Sequence, residues 1–163
     1  MTVHVLDESP STDGAFGTAP DDRTLEQRLA SGFILVDKPA GPTSHQLAAW
    51  ARDLLGLERL GHGGTLDPFA TGVLPLMAGR CMKITNKILK HEKTYIAVLR
   101  FRSMPDMETL NATMATMTGR IYNVPPEVSA VKVQVRTRNV HTFELLDTDG
   151  NDAVVRIVCE AGT

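Results

Sequence analysis

One run of the chain, GHGGTLDPFATGVLPL at residues 61–76, constrains the fold more than any other. Three glycines cluster at its start, and they allow the backbone to take positive φ angles and to approach a ligand closely. Pro68 fixes the turn that follows Asp67 and biases Asp67 itself towards an extended conformation. The pattern therefore predicts a rigid loop that displays one carboxylate ahead of an apolar segment.

An ordinary turn is the alternative interpretation, since Asp followed by Pro and Asp near Gly commonly form turns that satisfy their own backbone groups. A second loop, KPAGPTSH at residues 38–45, has similar chemistry, with small residues, prolines, hydroxyls and a histidine ahead of a predicted helix. Two such loops in one short chain favour a functional site, with Asp67 as the candidate carboxylate.

These two loops carry a family resemblance. The stretches GFILVDKPAGPTSH and LGHGGTLDPFATGVLPL resemble the two signature loops of the TruB and dyskerin family of RNA pseudouridine synthases. The similarity continues through HEKTYIAVLRF, GRIYNVPPEVSAVK and VVRIVCEAGT, so it covers residues 32–163 in the family's order. The segment VSAVKVQVRTRNVHTFELLD resembles the archaeal and eukaryotic dyskerin branch more than the bacterial branch, which favours an archaeal protein.

The resemblance implies both a fold and a reaction. The fold would be an α+β pseudouridine synthase fold with a central mixed, mostly antiparallel sheet flanked by helices and loops, incomplete at the C-terminus. The reaction would convert uridine to pseudouridine in tRNA at position 55, in rRNA under the direction of an H/ACA guide RNA, or in both. RNA would be the main partner, together with small H/ACA ribonucleoprotein proteins. A non-catalytic RNA-binding scaffold of the same fold is the alternative.

The resemblance also suggests roles for individual residues. Asp67 matches the family's catalytic aspartate, acting either as a nucleophile or as a base. Tyr95 matches the tyrosine that lies over the target uracil, because a stacked base must be flipped out before an enzyme can reach it. His62, Gly64 and Thr65 would bind the substrate beside it.

Supporting roles fall to four further residues. Lys38 and Pro39 are expected to buttress the Asp67 loop, and Arg80 and Lys83 are possible phosphate contacts. Simpler interpretations stay open for Tyr95 and His62. Tyr95 could be an ordinary strand aromatic, and the ring nitrogens of His62 could be hydrogen-bonded locally within its loop.

The charge distribution is compatible with an RNA partner although the net charge is −2. Residues 1–31 carry six acids against two arginines, so the remaining chain is mildly basic. Two basic clusters could neutralise phosphates, although a solvated helix face is the simpler explanation for any single member. The clusters consist of Arg80, Lys83, Lys87, Lys90, Lys93, Arg100 and Arg102, and of Arg120, Lys132, Arg136 and Arg138.

No cofactor is expected, because the isomerisation keeps every atom of the base and the chain lacks a GxxxxGK phosphate loop. No metal site is expected either, since Cys81 and Cys159 lack a CxxC spacing, and His62 with Asp67 alone provides too few ligands. No segment approaches the roughly 18 apolar residues that span a bilayer. We therefore expect a cytoplasmic protein that does not bind membranes.

Apolar spacing predicts the secondary structure and places Trp50 in the core. A helix capped by Ser44 is predicted to run to residue 55. Two further helices are predicted over residues 78–89 and 105–117, the latter with Met107, Leu110, Met114 and Met117 on one packing stripe. Strands are predicted at 33–36, 94–101, 140–146 and 153–159, the last two joined by a hairpin at DTDGND.

Residues 1–24 are predicted to form a disordered acidic extension, and residues 25–163 the N-terminal part of the catalytic domain. The resemblance implies a longer catalytic domain followed by an RNA-binding PUA domain, with Tyr, Ile and Arg after the GT at residues 162–163. That arginine would pair with Asp67, because a carboxylate in a dry pocket needs a cation to stay ionised. We therefore expect these 163 residues alone to be weakly active or inactive, and an extended form to be active.

Overall fold

The computed structural model of the chain describes residues 13, 15–124 and 134–163, and the chain divides into two compact units, Met1–Thr85 and Asn86–Thr163. Each unit contains one sheet, and every strand pair in the described residues is antiparallel. Helices accompany both sheets, so the predicted α+β class is confirmed. Most of the predicted N-terminal extension lies outside the described residues.

The first unit is a three-stranded sheet with a helix packed on one face. After a short 3₁₀ helix at Pro20–Asp22 come α1 (Leu25–Ala30), β1 (Ser31–Lys38), α2 (Ser44–Leu54), β2 (Leu60–His62) and β3 (Gly72–Gly79). The strand order is β1–β3–β2, which puts β3 in the middle. Ala48 of α2 packs against Leu74 and Leu76 of β3, and this cluster forms the core of the unit.

Pro75 lies within the middle strand, where a proline usually breaks the ladder. Its carbonyl accepts a hydrogen bond from the backbone N–H of Gly63 at 2.7 Å. Because the N–H and C=O of one strand residue point to the same side, the missing N–H faces the side where β2 has already ended. β3 therefore keeps its full pairing with β1. The hydrogen bond from Gly63 connects the first residue of the Asp67 loop to β3.

The predicted helix over residues 78–89 is wrong at its start. Ala78 and Gly79 end β3, a 3₁₀ helix occupies Arg80–Ile84, and only α3 (Thr85–Leu89) is α-helical. Gly79 has a φ of 53°, a left-handed conformation that interrupts the backbone between strand and helix. The apolar run before it forms a strand that is buried from Leu76 to Ala78, and periodicity alone does not distinguish such a run from a helix.

Two details of α2 also differ from the predictions. Its N-cap is Thr43, whose hydroxyl accepts from the backbone N–H of Gln46 while the Gln46 side chain accepts from the backbone N–H of Thr43. Ser44 is the first helical residue, and its hydroxyl bonds elsewhere. Trp50 is 58% exposed, so its assignment to the core is wrong. The face that packs on the sheet is formed by Leu47, Ala48 and Ala51.

The second unit is a four-stranded antiparallel sheet with one helix in its core. Its further elements are β4 (Lys93–Arg100), α4 (Met107–Thr116), β5 (Gly119–Asn123), β6 (Arg136–Asp149) and β7 (Asp152–Cys159), with the strand order β4–β7–β6–β5. Leu110 and Met114 of α4 are buried against Ala153 and Val155 of β7. This cluster forms the core of the unit.

Most elements of the second unit were predictable. The helix, β4, β7 and the hairpin are confirmed, and Gly150 in the tight turn has the positive φ, 55°, that such a turn favours. The strand predicted at 140–146 is longer and begins at Arg136. The methionine stripe is confirmed only at its centre, because Met107 and Met117 are exposed.

Candidate functional site

Asp67 lies in the loop between β2 and β3, with its side chain exposed to solvent. Its carbonyl accepts a hydrogen bond from the backbone N–H of Ala70 at 3.0 Å, which closes a tight turn around Pro68. The carboxylate forms no hydrogen bond or ion pair with any residue that the structure describes. The loop therefore presents this carboxylate to solvent rather than using it to satisfy the local backbone.

Lys38, the last residue of β1, is fully buried and contacts the Asp67 loop from the protein interior. Its ammonium is within hydrogen-bond distance of four carbonyl oxygens, those of Ala70 at 2.8 Å, Pro39 at 3.0 Å, Asp67 at 3.2 Å and Pro68 at 3.3 Å. A buried charge is costly unless it is hydrogen-bonded, and the carbonyls provide those bonds. Three of the four belong to the Asp67 loop, so Lys38 fixes the backbone on which Asp67 is mounted.

Ser44 and Gly41 connect the two loops a second time. The buried Ser44 hydroxyl accepts a hydrogen bond from the backbone N–H of Leu66 at 2.9 Å and donates to the carbonyl of the same residue at 3.2 Å. The Gly41 N–H donates to the Pro68 carbonyl at 2.8 Å. Both residues adjacent to Asp67 in sequence are thus bonded to the 38–45 loop.

Sequence analysis missed these two contacts. Ser44 was assigned to the helix cap, but the preceding Thr43 already forms a complete capping box and leaves the Ser44 hydroxyl available. A Thr-Ser pair before a helix, with a glutamine three residues after the threonine, is the signal that could have revealed this. Gly41 has a φ of 116°, a conformation that a glycine adopts easily.

His62 stands at the other end of the loop, as the last residue of β2. Its Nδ1 is hydrogen-bonded to the carbonyl oxygen of Gly64. A carbonyl can only accept, so Nδ1 carries the hydrogen, and in the neutral ring Nε2 is left as an acceptor. The His45 ring contacts His62 edge to face, with centroids 6.4 Å apart and planes at 80°. Thr65, the remaining substrate candidate of this loop, is exposed.

A cavity of about 250 Å³ adjoins the two imidazoles. Its polar lining residues are His45, Arg52, His62 and Thr85, and its apolar lining residues include Leu60 and Met82. The sequence did not single out Arg52. The Arg52 guanidinium binds the Asp53 carboxylate through Nε and Nη2, at 2.9 and 2.7 Å.

The other candidates are placed as follows. Pro39 is exposed, and its carbonyl is one of the acceptors of Lys38. Arg80 and Lys83 are exposed in the 3₁₀ helix after β3, and neither forms an ion pair within the described residues. Tyr95 belongs to the second unit, in β4, and its side chain is 41% exposed.

The basic clusters are partly neutralised. Arg100 forms a two-point ion pair with Asp152, at 2.8 and 2.6 Å, and these hydrogen bonds hold the pKa of the Asp152 carboxyl below its usual range. Arg138 donates to the carbonyls of Gly162 and Thr137. Lys132 lies outside the described residues. Arg80 and Lys83 are thus better placed than Arg100 to contact phosphates.

The described residues contain no group of three or more His, Cys, Asp and Glu side chains that could hold a metal ion. Both cysteines are buried and unpaired, and burial raises the pKa of the Cys81 thiol, which favours its protonated form. Among the helices described, none is long and apolar enough to cross a membrane.

Two protein-family models match this chain. Residues 52–163 match the model of the TruB family pseudouridylate synthase N-terminal domain, and residues 4–48 match the DKCLD domain. A probable tRNA pseudouridine synthase B of Methanothermobacter thermautotrophicus is 40% identical over 153 residues, covering 94% of this chain and 47% of the relative. One from Pyrobaculum calidifontis is 44% identical over 152 residues, covering 93% and 46%.

Solved structures give the same result for the fold. The chain is similar to a protein chain in the crystal structure of a Cbf5-Nop10-Gar1 complex, with a TM-score of 0.87, 38% identity, and coverage of 96% of this chain and 48% of that one. It is also similar to a chain in an H/ACA RNP bound to a substrate RNA containing 2′-deoxyuridine, with a TM-score of 0.84, 34% identity, and coverage of 96% and 46%. This chain spans about half the length of the proteins it matches.

Proposed function

Because this chain belongs to the TruB family of pseudouridylate synthases, we propose that the protein isomerises uridine to pseudouridine in RNA. The reaction breaks the bond between N1 of uracil and C1′ of ribose, turns the base over, and joins C5 to C1′. The proton lost from C5 is balanced by one gained at N1. The composition and the oxidation state of the base are unchanged, so the chemistry needs no redox carrier.

One observation supports this proposal most strongly: the exposed Asp67 lies on a loop whose backbone is held by buried side chains. Lys38 binds three carbonyls of that loop, and Ser44 binds both backbone groups of Leu66. A carboxylate that attacks C1′, or removes the 2′ proton, must be held in place before the substrate arrives. Asp67 meets that condition, whereas an aspartate that only forms a turn would not need a buried lysine.

The substrate that we propose is a uridine flipped out of its RNA. Tyr95 would stack on the flipped base, and His62, Gly64 and Thr65 would contact the substrate near Asp67. Arg80 and Lys83, both exposed and without ion pairs in the described region, would contact phosphates. We propose tRNA position 55 and guide-directed rRNA as targets, H/ACA RNA and its small proteins as partners, and the cytoplasm as the location.

We also propose that residues 25–163 form the N-terminal part of the catalytic domain, with a polar extension before them. A non-catalytic scaffold remains the second candidate. The similarity to a chain in a substrate-bound H/ACA RNP is compatible with either, because RNA binding does not require chemistry.

Replacement of Asp67 by asparagine distinguishes the two candidates. Asp67→Asn keeps the shape of the side chain but removes its charge, so we expect pseudouridine formation in a tRNA transcript to fall at least 10³-fold with RNA affinity changed less than about threefold. Pseudouridine is measured by tritium release from C5-labelled uridine, using the protein from its complete coding region. Asp37→Asn, at an exposed position of β1, is the matched control. Unchanged turnover in Asp67→Asn would refute the assignment, and RNA binding by a wild-type protein without turnover would favour the scaffold.

A further inference from the structure

We infer that the cavity beside His62 is a binding pocket for a second, unpaired base of the RNA, next to the target uridine in the substrate. This inference rests on the proposed function for the identity of the ligand. The cavity lies wholly within the first unit, between one face of α2 and the segment that follows β3. None of the roles proposed above uses His45 or Arg52.

The lining and the volume of the pocket suit a single base. One wall is the face of α2 that carries His45, Ala49 and Arg52, which are four and three residues apart and therefore lie on one side of the helix. The rest of the lining includes the apolar Leu60 and Met82 and the polar Thr85. A volume of about 250 Å³ is below the roughly 300–1,000 Å³ of sites that enclose drug-sized ligands. A partly apolar cavity of this size matches a single base better than a whole nucleotide.

The polar groups give the pocket its chemistry. His62 Nδ1 is held by the Gly64 carbonyl, so Nε2 of the neutral ring can only accept a hydrogen bond. A base that offers a ring N–H, such as uracil N3–H or guanine N1–H, supplies the matching donor. Two imidazole rings in edge-to-face contact also provide aromatic surface for stacking.

Arg52 lines the same pocket and provides a cation whose side chain is 43% exposed. Asp53 occupies Nε and Nη2 of its guanidinium, whereas Nη1 has no partner among the described residues. A phosphate that flanks the bound base is the complementary group, because it accepts hydrogen bonds from a guanidinium. Apolar lining residues, an acceptor at His62 and a partly exposed cation at Arg52 together match an RNA nucleotide with its base inserted and its phosphate outside.

The test combines a pocket-filling variant with abasic RNA. Ala49→Leu inserts a larger side chain into the pocket, at a helix position where leucine is favourable. Ala112→Leu, at an exposed position of α4, is the matched control. A short single-stranded RNA containing one uridine is made with an abasic residue at each flanking position in turn. Affinities are measured by fluorescence anisotropy for all combinations of protein and RNA.

We expect one flanking position at which the abasic residue lowers wild-type affinity roughly 5- to 100-fold, the range of base–aromatic stacking. That loss should disappear in Ala49→Leu and persist in Ala112→Leu, because the variant and the abasic residue remove the same contact. Arg52→Gln is an independent check, and it should lower the slope of log affinity against log salt by about 1.

The inference is overturned if the abasic penalties of Ala49→Leu equal those of the wild type at every position and Arg52→Gln leaves the salt slope unchanged. Melting temperatures of all variants exclude unfolding as the cause of a loss. The pocket and the reaction can fail separately. An intact pocket effect in a protein without pseudouridine formation would refute the proposed function alone, and normal pseudouridine formation without a pocket effect would refute the pocket alone.

Discussion

Lys38 is the residue that most clearly separates a built site from an ordinary turn. A buried ammonium is among the most unfavourable groups in a protein interior, and natural proteins usually pair it with a carboxylate. Here its acceptors are backbone carbonyls, three of them in the Asp67 loop. The same bonds satisfy the lysine and specify the path of the loop. This contact stabilises one backbone conformation, and Asp67 gains its fixed position from it.

Ser44 and Thr43 are adjacent hydroxyl residues with different tasks, and this difference can be measured. Ser44→Ala removes both bonds to Leu66, whereas Thr43→Ala removes the helix cap. We expect each to lower the free energy of unfolding by about 1–2 kcal/mol. Only Ser44→Ala should also lower pseudouridine formation, roughly 10-fold or more, because it frees the loop that holds Asp67.

Urea unfolding and the tritium-release assay together decide this prediction. Equal losses of turnover in both variants would show that activity follows stability alone. A Ser44→Ala protein with normal turnover would show that the bonds to Leu66 are not needed for positioning.

Residue roles were only partly predictable. The Asp67 loop was recognised because glycine and proline have strong and specific backbone preferences. Trp50 was predicted to be buried because its spacing puts it close to the apolar face of α2. The sheet determines how wide the packed face is, and this width cannot be derived from the spacing. The partner of Ser44 is 22 residues away in sequence, at Leu66, and no local rule identifies such a partner.

At the scale of elements, α4 provides a test of pH dependence. Asp106 caps this helix, accepting from the backbone N–H and the hydroxyl of Thr109, both at 2.8 Å, and these bonds hold the pKa of the Asp106 carboxyl below its usual range. A carboxylate whose pKa is lowered by folding stabilises the fold above its unfolded pKa of about 3.9. The contribution is lost as the pH falls through the lower, folded value.

We therefore expect stability to decline as the pH falls below about 4, with a smaller decline in Asp106→Asn. Asparagine is also a good N-cap, so the variant should fold normally at neutral pH. Glu108→Gln, an exposed acid in the first turn of the same helix, is the control. Urea midpoints at about pH 6 and pH 3 provide the measurement. Identical pH profiles for Asp106→Asn and the wild type would contradict the prediction.

Elements with regular alternation were predictable, and the one without it was not. β4 exposes every second residue from Ile96 to Arg100, β7 alternates half-buried with buried residues from Asp152 to Val155, and the tight Gly150 turn has a known signature. β3 runs through the centre of its sheet, with Leu74 and the stretch from Leu76 to Ala78 buried, so it lacks a polar side to reveal its period. Pro75 within β3 is a further signal against a central strand. The strand accommodates this proline because β2 ends at His62, before the position opposite Pro75.

At the scale of the whole molecule, the described residues form two separate core clusters, one in each unit. The cluster around Leu76 supports the strand that anchors the Asp67 loop, and the cluster around Leu110 supports the sheet that carries Tyr95. The proposed roles of Asp67 and Tyr95 therefore depend on different core clusters. Composition and length predicted a domain with a proper core, but the division into two clusters follows from strand pairing between distant segments.

Substitution of one buried leucine in each unit tests this division. Leu76→Ala and Leu110→Ala each remove buried methyl groups and should lower the free energy of unfolding by roughly 2–5 kcal/mol. Because the two clusters share no residues, hydrogen exchange should accelerate mainly in the unit that holds the substitution. Mass spectrometry of deuterium uptake resolves residues 31–79 from residues 93–159. Equal acceleration in both ranges after either substitution would mean that the two cores unfold as one cooperative structure, and Asp67 would then depend on the packing of both sheets.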